Sequence, residues 1–381
     1  MADQPADPFA WLAERAAART NAGLRRSLHP RQADSTVLDL AGNDYLALAR
    51  HPAVIEAGVE ALRTWGAGST GSRLVTGSTQ LHADLEAALA AHVGAQAGLV
   101  FSSGYTANLG ALTALARPGC LIVSDERNHA SLVDACRLAR SRGSEVAVTP
   151  HADPDAVAKA LAARPPGSPA IVVTDSVFSA DGDLAPLADL AAVAREAGAA
   201  LLVDEAHALG AVGPGGRGAV AAAGLAGAPD IVATVTLSKA LGSQGGAVLG
   251  PAPVIAHLID SARSFIFDTG LAPAAAGSAF TALRLLQAEP ERAQRVRAIA
   301  RRVAAALGAP VPAAAVVSLI LGEPERALAA AATCEREGIH VGCFRPPTVP
   351  EGTSRLRIAV RADLTDDEVD RAIEVISAAA T

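Results

Sequence analysis

The sequence predicts an α/β protein, with a large domain on a mostly parallel sheet and a smaller α+β C-terminal domain. Three observations lead there. From about residue 95 to residue 237, short apolar runs alternate with helical patterns, as in parallel β-α units covered on both faces. Asp, Ser and His recur just after those runs, at the edge where open α/β sheets bind ligands. Beyond about residue 280 the alternation gives way to a long helical stretch and two short strands.

In order, residues 97–101 read as a strand and 106–116 as a helix. Strands at 120–124, 171–174, 201–204 and 231–237 follow, with helices at 131–142 and 187–197 between them. The stretch 281–307 reads as helix broken near Pro290, because proline removes a helical donor and clashes with the preceding turn. Strands at 315–321 and 354–360 complete the small domain. The expected division is 41–280 for the large domain and 281–381 for the small one, with 1–40 packing against the latter.

Composition excludes several classes. Half of the 381 residues are hydrophobic but only 3% are aromatic, so Ala, Val and Leu must build the core. A net charge of -7 argues against nucleic-acid binding, which needs a clustered basic face. Cys120, Cys136, Cys334 and Cys343 form no C-x-x-C pair, and only Cys343 has a histidine nearby, His340. Neither a metal site nor a disulfide framework is expected. The acidic N-terminus lacks the apolar core of a signal peptide. The longest apolar stretch, 310–321, falls short of the roughly 20 residues a membrane span needs, so a cytoplasmic protein is expected.

Of 32 basic residues only two are lysines, Lys159 and Lys239. Arginine replaces lysine on most surfaces but cannot form a Schiff base. Lys159 lies in a helical pattern and reads as solvated. Lys239 ends a buried-strand run and precedes Gly242-Ser-Gln-Gly-Gly, where a covalent cofactor anchor belongs. Phe101-Ser-Ser-Gly-Tyr105 leads from strand to helix; it is either an ordinary turn or a phosphate cradle of helix N-terminal amides. Asp204, at a strand end, is either a structural carboxylate or the partner of a cofactor pyridinium nitrogen, with His207 near the ring's phenolic oxygen. His129 is either a solvated loop residue or a ring that stacks on a flat cofactor. Two G-x-G-x-x-G matches, from Gly66 and Gly213, lack dinucleotide-fold context: the first follows a helical pattern, and the second has no helix opening after it.

A cradle, a pyridinium partner, a stacking ring and a Schiff-base lysine occur in the order and spacing of fold-type-I pyridoxal-phosphate enzymes. The chain closely resembles the α-oxoamine synthases over nearly its whole length. The likeness is carried by Asn43-Asp-Tyr-Leu, Gly66-Ala-Gly-Ser-Thr-Gly-Ser-Arg-Leu-Val-Thr-Gly, Phe101-Ser-Ser-Gly-Tyr, Asn128-His-Ala-Ser, Asp175-Ser-Val-Phe-Ser-Ala-Asp-Gly-Asp, Asp204-Glu-Ala-His-Ala-Leu-Gly, Thr236-Leu-Ser-Lys-Ala-Leu-Gly and Arg345-Pro-Pro-Thr-Val-Pro. The last of these leans toward the biotin-pathway branch.

The resemblance implies pyridoxal 5'-phosphate as cofactor, anchored on Lys239, which also moves the substrate Cα proton. It implies Asp204 on the ring nitrogen, His207 and Ser179 on the phenolic oxygen and His129 on the ring face. Amides of Gly104 and Tyr105, with Thr236, would hold the phosphate. Arg357 would clamp the amino-acid carboxylate, with Thr348 and Arg25 in substrate contact. Thr269 would reach the partner subunit's phosphate, which implies a homodimer with shared sites. The implied reaction joins L-alanine to pimeloyl-CoA or a pimeloyl carrier protein with loss of CO2. The alternatives are glycine C-acetyltransferase or another family member, and, from another class, a partner subunit that kept the fold without chemistry.

Overall fold

The computed structural model describes residues 7–21, 24–26 and 28–381; residues 1–6 of the N-terminal segment lie outside them. Eleven strands run in chain order: β1 (Leu38–Leu40), β2 (Ala97–Phe101), β3 (Leu121–Asp125), β4 (Glu145–Thr149), β5 (Ala170–Asp175), β6 (Ala200–Asp204), β7 (Ile231–Thr236), β8 (Gly246–Gly250), β9 (Val316–Gly322), β10 (Ile339–Phe344) and β11 (Ser354–Ala359). Seven form the large sheet in the order β2-β8-β7-β6-β5-β3-β4, and four form the small sheet in the order β1-β10-β11-β9. In the large sheet β3 through β7 pair in parallel, while β8 runs antiparallel to both neighbours.

The mostly parallel sheet matches expectation, and so does its cause. β5 and β7 are buried at every position, which only apolar residues tolerate when helices cover both faces. Four strands went unforeseen: β1 and β10 of the small sheet, and β4 and β8 of the large one. β4 is an edge strand with a partly exposed Glu-Val-Ala-Val-Thr pattern, and β8 is framed by glycines at both ends. The antiparallel run of β8 brings its first residue, Gly246, to the edge where its neighbours end.

The helical break falls where Pro290 predicts it, between Pro273–Ala288 and Glu291–Leu307. The first of these helices packs on the helices Pro52–Trp65 and Gln80–Val93 of the large domain. Residue 280, after which the division is expected, therefore lies inside that helix. Of the N-terminal segment, β1 pairs with β10 of the small sheet, whereas the helix Trp11–Asn21 buries no residue.

The Gly66 motif follows the helix Pro52–Trp65, as read. The Gly213 motif needs a correction: a four-residue helix, Ala219–Ala222, does open after Gly218. Its first amides, of Ala219 and Val220, are already taken by the buried Glu205 carboxylate at 3.2 Å each, which leaves no phosphate site there. Among the described residues no helix is long and apolar enough to cross a membrane.

Candidate active site

The carboxyl ends of the large sheet converge on one cleft. β2 runs into Ser102-Ser103 and the helix Gly104–Leu115. Ser103 caps this helix: its hydroxyl accepts from Thr106 N at 3.1 Å, and Thr106 Oγ1 accepts from Ser103 N at 3.0 Å. The free amides beyond it face the end of β7. A Cβ on Gly104 would stand 3.1 Å from Thr236 Cβ, and one on Gly246 would stand 2.5 Å from Gly104 N. Backbone approaches this close require glycine, and they leave a small cradle at a helix N-terminus, where amides and the helix dipole favour an anion.

Asp204 ends β6. Its Oδ1 accepts from Ala206 N at 2.8 Å and its Oδ2 from Asn108 Nδ2 at 2.6 Å. Asn108 sits one turn into the cradle helix, also donates to Ser131 Oγ at 2.8 Å, and accepts from Thr234 Oγ1 at 2.5 Å. Every polar atom of that amide is engaged, so the carboxylate is fixed in orientation. Beside it Asp175, at the end of β5, is fully buried. Burial, reinforced by the Asp204 charge, pushes its pKa well above the usual carboxylate range. Its Oδ1 accepts from His129 N at 3.3 Å, which ties down the loop carrying that histidine. The His129 ring stays accessible and contacts Ser131 Oγ at 2.7 Å through Nδ1. Desolvation lowers its pKa; Asp204 opposes the shift and Lys239 adds to it.

Lys239 Nζ lies 2.8 Å from His207 Nε2, and His207 Nδ1 lies 2.6 Å from the Tyr45 hydroxyl. Tyr45 in turn donates to Asn43 Oδ1 at 2.9 Å. An ammonium donates only, so Nε2 accepts and Nδ1 carries the hydrogen toward Tyr45. Burial, with the charges of Lys239, Arg357 and His129, holds His207 well below its ordinary pKa, hence neutral. Burial pushes Tyr45 up to about 12. Lys239 is lowered to about 8, chiefly by burial, with Asp204 opposing and Arg357 assisting.

Arg357, on β11 of the small domain, is 4% exposed. Its Nε donates to Ser179 O at 2.6 Å and its Nη2 to Asn43 Oδ1 at 3.0 Å. Other buried arginines are paired: Arg73 with Glu86 at 2.9 Å, and Arg355 with Asp181. Among the described residues Arg357 has no carboxylate partner. A buried guanidinium held only by neutral acceptors is a site for an incoming carboxylate.

The structure thus gathers Lys239, Asp204, His207 and His129 in one cleft, with Gly104 and Thr236 adjoining as the cradle. Tyr105 turns its side chain away, donating to Asp134 at 2.5 Å, so only its amide can serve a phosphate. Ser179 meets Arg357 through its carbonyl. Thr269, Arg25 and Thr348 are exposed, and among the described residues no hydrogen bond ties them to the cluster. Gly270 packs Thr269's loop against the cradle: a Cβ there would be 2.9 Å from Ser102 Cβ. Asn43, Tyr45 and Asp175 lie in motifs that carry the likeness but had been given no role, and Asn108 was not singled out from sequence. Asn108 carried one signal, as an amide in the otherwise apolar stretch Ala107-Asn-Leu-Gly-Ala. The residues present fit pyridoxal phosphate: a glycine-lined anion cradle, a half-buried amine of lowered pKa and an oriented carboxylate share one cleft.

Comparison with known proteins places this arrangement. The model of the family described as aminotransferase class I and II matches residues 35–376. The 8-amino-7-oxononanoate synthase of Mycolicibacterium gilvum (strain PYR-GCK) is 64% identical over 371 residues, covering 97% of each chain. A solved structure described as SPT with PLP internal aldimine superposes with a TM-score of 0.90 at 31% identity, over 99% of this chain and 98% of that one. The 8-amino-7-oxononanoate synthase of Francisella tularensis superposes with a TM-score of 0.75 at 25% identity, over 90% of this chain and 97% of that one.

Proposed function

We propose that this chain, which belongs to the aminotransferase class I and II family, is an 8-amino-7-oxononanoate synthase of biotin synthesis. It joins the Cα of L-alanine to the acyl carbon of a pimeloyl thioester, releasing the thiol and CO2. The cofactor is pyridoxal 5'-phosphate, which when bound withdraws negative charge from the amino-acid Cα. The observation that carries this function is the pair of cations without carboxylate partners, half-buried Lys239 and buried Arg357, facing one cleft. An α-amino acid would offer its carboxylate to Arg357 and its amine to the cofactor position that Lys239 holds.

Each residue has a task. Lys239 would anchor the cofactor and, once freed from it, would act as the base for the substrate Cα proton. Its lowered pKa leaves more of it as free base near neutrality than an ordinary lysine offers. Asp204, oriented by Asn108, keeps a proton on the ring nitrogen. With the cofactor bound, His207 and Ser179 would meet its phenolic oxygen and His129 would cover its ring. The amides of Gly104 and Tyr105, with Thr236, hold the phosphate. Arg357 holds the alanine carboxylate until it leaves as CO2, and Arg25 and Thr348 contact substrate.

The working unit is a homodimer in which Thr269 reaches the partner's cofactor phosphate. Exposed apolar residues beside the cradle support this: Phe267 is 70% and Val75 77% exposed, on neighbouring segments. Thiol release with L-alanine plus pimeloyl-CoA, and none with glycine plus acetyl-CoA, is the expected outcome. Release only with the second pair would move the chain to the glycine branch. Lys239→Arg keeps the fold and abolishes turnover; appreciable activity in that variant would overturn the role of Lys239.

A further inference from the structure

We propose that His151, outside the cleft, is a positioning residue for the substrate carboxylate clamp, acting through the hairpin 177–184 that joins the two domains. The hairpin leaves β5 and closes on itself through the Val177–Leu184 bridge and the bond from Phe178 N to Asp183 O at 3.0 Å. It lies against the small domain: Ala313 N donates to Gly182 O at 2.9 Å, and a Cβ on Gly182 would stand 2.3 Å from Val316 O. Three of its residues carry polar ties. Ser179 O accepts from Arg357 Nε at 2.6 Å. Asp181 accepts from Arg127 at 3.2 Å on the large domain and from Arg355 on the small one. Asp183 Oδ2 meets His151 Nε2 at 2.7 Å.

The other side of His151 faces Asp125, whose two oxygens lie 3.1 and 3.2 Å from Nδ1. Carboxylates only accept, so both ring nitrogens carry hydrogen and the ring is a cation between two anions. Burial pulls its pKa down, but the bonds to Asp125 and Asp183 outweigh that and raise it to about 9. Phe178 packs edge-on against the ring at 4.3 Å, and Glu126 accepts from His151 N at 3.3 Å. The local charges are therefore Asp125, Glu126, Asp181 and Asp183 against His151, Arg127 and Arg355.

Without the His151 charge, Asp125 and Asp183 would repel across the gap, and the hairpin would keep only the Asp181–Arg127 ion pair as a charged tie to the large domain. Ser179 O would then shift, and with it the aim of Arg357. Lys239, Asp204 and the phosphate cradle, at the ends of β7, β6 and β2, would keep their places. This rests on Arg357 holding the alanine carboxylate.

The test uses the holoenzyme and the alanine-dependent change in cofactor absorbance to obtain an apparent Kd for L-alanine. His151→Gln should weaken alanine about tenfold, while the thioester KM stays within about twofold and cofactor absorbance is retained. His151→Gln combined with Asp183→Asn, which removes the facing charge, should recover part of the loss. Arg357→Lys is the control and should weaken alanine by itself. Should His151→Gln fail to fold, Asp183→Asn alone, which keeps the side chain's outline, carries the same expectation of weaker alanine binding. Unchanged alanine affinity in His151→Gln, with Arg357→Lys impaired, overturns the role of His151. So does equal damage to the thioester KM. Unchanged affinity in Arg357→Lys overturns the role of Arg357 and this proposal together.

Discussion

The lowered pKa of Lys239 can be measured directly, because the chain has only two lysines. A fall from 10.5 to about 8 corresponds to about 3 kcal/mol in favour of the neutral amine. At pH 7 about one molecule in ten would then carry a neutral Lys239, against roughly one in 3000 at the ordinary value. In the cofactor-free protein the charged amine is half-buried at a cost. That cost is fully present below about pH 8 and disappears as pH rises past 10.5, so Lys239 favours folding more at high pH. The assay is an NMR titration of lysine labelled with carbon-13 at Cε. Lys159→Arg leaves a single resonance, which assigns Lys239. The expected midpoint is about 8. Asp204→Asn removes the charge that opposes the shift, so the midpoint should fall further. A midpoint near 10.5, or one indifferent to Asp204→Asn, would refute a half-buried amine governed by these neighbours.

Two further substitutions probe the cofactor contacts. Gly246→Ala would place a Cβ 2.5 Å from Gly104 N and 2.6 Å from Gly104 Cα, backbone that cannot swing aside. The cradle must open, and the purified protein should lack the visible absorbance of bound cofactor. Asn108→Leu strips the donor from Asp204 Oδ2 and leaves Thr234 without its acceptor. An unsatisfied buried polar group costs about 1–3 kcal/mol, so cofactor affinity measured by absorbance titration should fall at least about fivefold. Retained affinity would mean that Asp204 needs no such support.

The sequence was most informative where the relevant physics is local. Continuous apolar runs mark β5 and β7 because both faces of those strands are covered. Lys239, Asp204 and His129 stood out because reactive groups follow such runs by a few residues. What escaped depends on contacts distant in sequence. Tyr45 meets His207 across 162 positions, and Arg357 meets Asn43 across 314. No periodicity within either segment encodes the other. β4 was missed because an exposed edge strand lacks the continuous apolar signature, with Val148 65% exposed. The helix read as starting at 281 begins at Pro273, a start not seen because Pro273-Ala-Ala-Ala-Gly-Ser-Ala carries little amphipathic contrast. Its early start is set by packing on the helices Pro52–Trp65 and Gln80–Val93.

The distribution of buried charge separates scaffold from site. Arg73 and Arg355 are buried opposite carboxylates, and His151 lies between two of them, so the chain itself neutralises each. Lys239 is held against a neutral histidine, and Arg357 against a carbonyl and an amide. One stands on the large domain and the other on the small domain, at the ends of β7 and on β11. A ligand whose carboxylate meets Arg357 while its amine takes the place of Lys239 on the cofactor would touch both domains, and its length would fix how closely they approach. An α-amino acid joins its amine and carboxylate through a single carbon, which demands that Arg357 be aimed accurately across the domain boundary. The carbonyl of Ser179 provides that aim, and the hairpin carrying it is bound by charge to the large domain at Asp183 and to both domains at Asp181. Substrate selection at the amino-acid end thus depends on residues that never touch the substrate.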